Sequence, residues 1–418
     1  MRKTLTQLTY QLFNILNGGA LGKYYKQVKK ANENHRPFND AEISKYLEKW
    51  GFDPHIEKNE LMTKADVNRW AEKTNPENIH DWAYTGGSYG EPLRIPYSKK
   101  RAFRRTATFR YFNERGGYRL GDPYLLIRAK EKPEWMKFVR NETIFIPNDI
   151  SEKKLNELTD LIKDNGIRVL MGYPTVIYEL ALFLQQFPEK MNGFRIKSII
   201  SISEPLDPVK REVIREIFRC SYIDRYSNEE VGLIAQQKKF GGEYFVNKYG
   251  VYTEVVDPQS YQPVGDGEVG KVVVTDLFND LVPIVRYDTG DFAIASRYED
   301  GQLLSIKQIV GRETEQIHAT DGGKVSSLML GPYIYKPLAE TGTVYQFQFA
   351  QTGGWEYALR VKANPDDIDK DVADKIQNGL KSVLGRGANI AIVYVKDIEP
   401  QASGKRPIYK NEIKKEIV

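Results

Sequence analysis

Cysteine is almost missing from this chain: Cys220 is the only one in 418 residues. That excludes an internal disulfide framework and any cysteine-rich metal site, and it fits a reducing cytoplasm. No run approaches the eighteen or so apolar residues of a membrane span. Near the start, Arg2 and Lys3 precede an amphipathic stretch with Leu8, Leu12, Phe13 and Leu16. Thr, Gln and Asn interrupt it, so it lacks the continuous apolar region of a signal peptide, and a soluble or at most peripheral protein is expected. A large charge excess is lacking as well, since 61 Lys and Arg face 56 Asp and Glu for a net of +5. That balance accommodates an anionic substrate but does not point to nucleic acid. Internal repeats, low-complexity tracts and long linkers are also absent.

What is present is an ordinary globular composition, 41% hydrophobic and 28% charged, at a length that exceeds a single core. Residues 1–73 read as helical, with Asp40 and Thr63 as N-caps. From Ser151 to Asp224, helical and short apolar segments alternate: helices over 151–165, 174–187 and 208–218, strands over 167–171, 196–202 and 221–224. Such alternation predicts a mostly parallel sheet flanked by helices. Beyond Tyr244 the chain turns β-rich, with strands over 252–256, 270–276 and 291–296 and a mixed or barrel-like subdomain expected. The last hundred residues order as strands over 345–350 and 356–361, a helix over 368–384 and a strand over 390–398, a small α+β unit.

The stretch Tyr84-Thr85-Gly86-Gly87-Ser88-Tyr89-Gly90-Glu91-Pro92 has the makings of a phosphate cradle. Three glycines let the backbone approach an oligophosphate, and Thr85 and Ser88 offer hydroxyls. It has neither the lysine of a Walker A loop nor the glycine spacing of a dinucleotide fold, and a surface turn reads the same way. Further along come SEP at 203–205, DRYSNEE at 224–230, RYDTGD at 286–291, GR at 311–312 and SGK at 403–405. In this order the six segments resemble the adenylate-forming superfamily of acyl-CoA synthetases, and within it the phenylacetate-CoA ligase and CapK-like branch, over nearly the whole chain.

The resemblance implies an α/β fold: a large multi-subdomain N-terminal domain with mixed sheets flanked by helices, residues 1–312, and a small mobile α+β lid, residues 313–418. It implies an ATP-dependent ligase that forms an acyl-adenylate, expels pyrophosphate, and passes the acyl group to CoA. By the same resemblance, Thr85, Gly86, Gly87, Ser88 and Gly90 hold the β- and γ-phosphates. Ser203, Glu204 and Pro205 form one wall of the adenine slot and Tyr226 the other. Asp291 accepts from the ribose hydroxyls, and two acceptor oxygens suit a vicinal diol. Arg312 reaches ribose or phosphate, and Glu230 binds Mg2+. Lys405 neutralises charge in the adenylation transition state from a mobile loop. The hinge falls just after Arg312, with Thr314 where the family usually has an acid. Read without the family, Glu230 is a solvated acid, Tyr226 a core tyrosine, Arg312 a surface arginine and Lys405 a solubilising tail residue.

Departures from the family pattern bear on substrate. Gly86 and Tyr89 replace the commoner serine and threonine, while Ser227 and Glu229 stand where glycine and a hydroxyl residue are usual. Gln236 and Gln237 occupy the region where some relatives carry zinc-binding cysteines, so no zinc is expected. Tyr173, in Gly172-Tyr173-Pro174, is a candidate for the acyl pocket and equally a structural residue at a strand end. Lys99, Lys100, Arg101, Arg104 and Arg105 read first as a solvated helix face, with CoA phosphates, an anionic saccharide or a membrane surface as alternatives. The expected partners are a small carboxylic acid with CoA, or with an amine acceptor in surface-polysaccharide assembly. A catalytically silent nucleotide-binding protein is the reading from a different class.

Overall fold

The computed structural model describes residues 2–34, 37–84, 93–147, 150–204, 208–312, 317–325, 346–399 and 408–413, with isolated positions between 330 and 341. In chain order the strands are β1 (Asp81–Tyr84), β2 (Arg94–Tyr97), β3 (Tyr124–Ile127), β4 (Glu142–Phe145), β5 (Val169–Gly172), β6 (Ser198–Ile202), β7 (Ser221–Asn228), β8 (Gly232–Gln237), β9 (Tyr244–Val246) and β10 (Val251–Val256). They continue with β11 (Val269–Asp276), β12 (Tyr287–Glu299), β13 (Gln302–Arg312), β14 (Ile317–His318), β15 (Lys324–Val325), β16 (Gln346–Gln351), β17 (Glu356–Lys362), β18 (Asn389–Tyr394) and β19 (Tyr409–Asn411).

Eleven of these strands form one sheet in the order β10-β11-β12-β13-β9-β8-β7-β6-β5-β3-β4. The β4, β3, β5, β6, β7 portion is parallel throughout, as the helix–strand alternation predicts. Its strands are short apolar runs because helices cover them: Val169, Leu170, Ile199 and Ile200 are fully buried. Ser151 caps the helix Glu152–Asp164, which turns Leu155, Leu158 and Ile162 inward; the helix Pro174–Gln186 is apolar nearly all round and almost wholly buried.

From β7 to β8 the pairing becomes antiparallel and stays so to β10. The β-rich stretch after Tyr244 is therefore no separate barrel. It extends the same sheet, because β8 hydrogen-bonds to both β7 and β9 and leaves no edge between the halves. The antiparallel half closes over its own core with the helices Asp40–Lys49 and Lys64–Glu72, through Leu47, Val67, Val255, Val272 and Tyr287. Thr63 caps the second of these helices in a reciprocal capping box with Asp66, as its sequence predicts. At the first, the cap is Asn39 rather than Asp40: the Asn39 side chain accepts from the Ala41 amide at 2.9 Å, and Asp40 is already helical.

Residues from 317 onward have a core of their own, built on a four-stranded sheet ordered β18-β17-β16-β19. Asp369 caps the helix Lys370–Leu384, which buries Val372, Ile376, Leu380 and Leu384 at four-residue spacing.

Candidate nucleotide site

In an open α/β sheet, ligands bind beyond the carboxyl ends of the parallel strands, and three such ends carry the motif residues. At the end of β5, a Cβ on Gly172 would collide with Ile127 on β3, so close strand packing explains the glycine. Tyr173 follows it, buried in the helix–sheet core, where burial and then the neighbouring Glu204 raise its phenol above the ordinary value. At the end of β6, Ser203 adopts a left-handed conformation (φ 72°) that bends the chain sharply. Glu204 then accepts from the Thr175 hydroxyl at 2.8 Å and the Thr175 amide at 3.3 Å. A carboxylate is favoured at that helix start, so Glu204 ties the β6 loop to the helix after β5.

Tyr226, Asp291 and Arg312 converge, although β7 and β12 are not neighbours in the sheet. The buried Tyr226 hydroxyl donates to Asp291 Oδ2 at 2.7 Å. Arg312 lies directly opposite Asp291 in the β12–β13 register and donates through Nε to Oδ1 at 3.3 Å. Thr289 fixes the approach to this carboxylate, its hydroxyl accepting from the Asp291 amide at 3.2 Å and donating to the Val272 carbonyl at 2.8 Å. Asp288 is a turn residue: it accepts from the Gly290 amide at 2.8 Å, and Gly290 takes φ 73°.

The third strand end, after β7, separates its two acids. Glu230 is buried, and its Oε1 accepts from the Tyr287 hydroxyl at 3.1 Å. Burial raises its carboxyl above the usual range; Asp291 adds to the effect, while the Tyr287 hydroxyl and Lys64 oppose it. Glu229 turns toward solvent and pairs with Arg105 at 2.9 Å. The two carboxylates thus point apart, and Arg105 meets the charge of Glu229.

The turn that presents Glu230 is held from beneath by the basic helix Lys99–Arg115. Tyr97 donates to the Glu229 carbonyl at 2.6 Å and Arg105 to the same oxygen at 3.0 Å. Arg101 donates to the Glu230 carbonyl at 2.6 Å while its guanidinium is paired with the buried Asp276 at 2.5 Å. Arg104 lies 3.8 Å from the centre of the Phe278 ring. The reading of this segment as a solvated face is corrected: Lys99 and Lys100 are exposed, but Arg101 is buried and Arg104 and Arg105 are partly so. A buried guanidinium is tolerated where carboxylate, carbonyl and aromatic partners replace water.

Tyr97 and Tyr287 are not singled out by the sequence, and Arg101 and Arg105 read there only as part of a basic helix face. Tyr287 sits inside the RYDTGD segment, so the motif contained it; the roles of Tyr97 and the two arginines carry no local signal, since the turn they hold lies 124 to 132 residues away. Thr85, Gly86, Gly87, Ser88, Gly90, Pro205, Thr314 and Lys405 lie outside the described residues. What flanks the glycine-rich stretch is a two-stranded hairpin, β1 against β2, in which Tyr84 faces Arg94. Among the described residues no group of three or more His, Cys, Asp or Glu forms a metal site by itself. The buried Glu230 carboxylate has the hard oxygen donors that would suit a divalent ion such as Mg2+.

No family model matches the chain. In sequence it is similar to the phenylacetate-coenzyme A ligase of Pseudomonas putida, 21% identical over 236 residues that cover 54% of this chain and 53% of that one. A phenylacetate-coenzyme A ligase of Escherichia coli K12 is 22% identical over 256 residues, 59% of this chain and 58% of the relative. The chain thus spans little more than half the length of the curated relatives it matches. Among solved structures it is similar to 2-hydroxyisobutyryl-CoA ligase in complex with 2-HIB-AMP, with TM-score 0.65 and 18% identity over 94% of this chain and 89% of that one. An anthranilate CoA ligase in complex with anthranoyl-AMP superposes with TM-score 0.58 and 15% identity over 79% and 66% of the two chains.

Proposed function

From the fold of an adenylate-forming ligase, phenylacetate-CoA ligase-like in sequence, we propose that this protein activates a small carboxylic acid with ATP and passes the acyl group to CoA. The observation that carries the proposal is the meeting of Tyr226, Asp291 and Arg312 beside the buried Glu230, at the carboxyl end of the parallel strands. A carboxylate is a poor electrophile. Attack of its oxygen on the α-phosphorus of ATP, with pyrophosphate leaving, turns it into a mixed anhydride from which a thiolate displaces AMP.

Asp291 offers acceptor oxygens for the ribose diol, with Tyr226 and Arg312 holding its carboxylate in place. The Tyr226 ring and the Ser203-Glu204-Pro205 segment flank the adenine. Thr85, Ser88 and the amides of Gly86, Gly87 and Gly90 hold the distal phosphates. Glu230 is the protein ligand for Mg2+, which, when bound, offsets triphosphate charge. Tyr287 orients that carboxylate. Lys405, on the small domain of residues 313–418, meets charge between the attacking carboxylate and the α-phosphate, and Tyr173 borders the acyl pocket. Rotation of that domain about a hinge after Arg312 removes the lysine and admits the acceptor.

The test is ATP–pyrophosphate exchange across a panel of aliphatic, hydroxy and aromatic acids. Exchange dependent on at least one acid is expected, and Lys405→Ala should slow it about a hundred- to a thousandfold, or 3 to 4 kcal/mol of transition-state stabilisation. Nucleotide binding without exchange for any acid would make the protein a silent binder. With the active acid known, CoA-dependent thioester formation supports the thiol acceptor. CoA-independent amide formation would instead assign an amine acceptor of the kind used in polysaccharide assembly.

A further inference from the structure

The first helix, Arg2–Leu16, is packed inside out. Its inward side is polar: Lys3 pairs with Asp122 at 2.9 Å, Thr6 is buried, Gln7 donates to the Leu120 carbonyl at 3.0 Å, and Asn14 accepts from the Gly22 amide at 2.9 Å. Tyr10 completes this side, with the Arg110 guanidinium 4.3 Å from its ring centre. Positions 3, 6, 7, 10 and 14 lie along one side of a helix. Positions 5, 8, 12, 15 and 16 lie along the other, and all are apolar: Leu5, Leu8, Leu12, Ile15 and Leu16. Their exposure runs from 37% at Leu5 through 57% at Leu8 and 58% at Leu12 to 73% at Leu16. A helix serving only the core of its own chain does the reverse, and a contiguous exposed apolar stripe of this kind marks an interaction surface.

We propose that this face docks peripherally on an anionic lipid surface. Charge selects that occupant. The first 32 residues contain Arg2, Lys3, Lys23, Lys26, Lys29 and Lys30 and no acid. The four later lysines are exposed on the following helix, Ala20–Glu33. A two-fold contact with a second copy would set this cationic segment against itself, whereas an anionic bilayer accepts both the leucine stripe and the lysines. Beside the first turn, where Arg2 lies 5.0 Å from the Phe138 ring centre, the helix Glu134–Arg140 exposes Phe138 and Trp135. Tryptophan is favoured at the level of lipid headgroups. A short helix lying in the interface does not span it, in keeping with the finding that, among the described residues, no helix is long and apolar enough to cross a membrane.

The test is flotation of the full chain with vesicles of phosphatidylcholine containing phosphatidylglycerol, against phosphatidylcholine alone, beside sedimentation velocity without lipid. The expected result is co-flotation with the anionic vesicles, a drop of about tenfold or more in the bound fraction for Leu8→Glu/Leu12→Glu, and a monomer in solution for both. The milder Leu8→Ser/Leu12→Ser pair should show the same direction, and unchanged circular dichroism in either pair separates lost docking from lost folding. Equal flotation of parent and variants overturns the proposal. So does absence of flotation, and a dimer that the substitutions dissolve would then assign the stripe to a second copy.

Discussion

The helices Arg2–Leu16 and Lys99–Arg115 reverse what their compositions lead one to expect, in opposite senses. The first carries leucines outward over a polar inner side; the second is rich in arginine yet sends Arg101, Arg104 and Arg105 toward the protein. The difference lies in what faces each helix. Opposite Lys99–Arg115 stand Asp276, two carbonyls of the Glu229–Glu230 turn and the Phe278 ring, which together replace the water a guanidinium loses. Opposite Arg2–Leu16 stand Asp122, the Leu120 carbonyl and Arg110, which suit Lys3, Gln7 and Tyr10 and offer leucine nothing. Helix orientation follows the partner surface as much as the helix's own periodicity.

Four substitutions would break or sharpen this contrast. Arg101→Ala should cost the most, about 3–5 kcal/mol in a denaturant titration, because it strands the buried Asp276 and frees the turn beneath Glu230. If stability barely moved, the inward arginines would be bystanders. Glu230→Gln, on the turn those arginines hold, should reduce pyrophosphate exchange by about a hundredfold. Its effect on folding should have the other sign. Burial raises the Glu230 carboxyl above its ordinary value of 4.5, so the ionised form is penalised only in the folded state. The parent should therefore lose stability relative to the variant as pH rises from 4.5 through the raised folded value, and the gap between them should stop changing with pH below 4.5. Thermal midpoints at several pH values check this.

Arg105→Ala removes a pair whose acid is largely solvent-facing and should cost about 1 kcal/mol or less. Smallest of all, Leu12→Gln on the outward stripe should change stability by no more than about 0.5 kcal/mol. A clear loss there would mean that the stripe is covered within the molecule.

Much of the frame was legible in the residues. Parallel strands with covering helices followed from apolar runs alternating with amphipathic segments, and Thr63 announced its helix because capping is local chemistry. The reading of Asp40 as the next cap fell one residue late: Asn39 caps as readily, and only the backbone decides between them. The extension of the sheet beyond Tyr244 was not legible, since strand propensity does not say which edge a strand joins. In the site, the acids and aromatics could be named one by one. The Tyr226–Asp291 hydrogen bond, the opposite fates of Glu229 and Glu230, and the role of Tyr287 could not.

By itself, then, the sequence determined the family it resembles, the α/β order and the cap at Thr63, because these rest on residue type and short spacing. Only the tertiary structure decided which charges are buried and which apolar face is left outward. Burial is a property of two surfaces, and the second surface lies a hundred or more residues away: Asp276 for Arg101, Asp122 for Lys3.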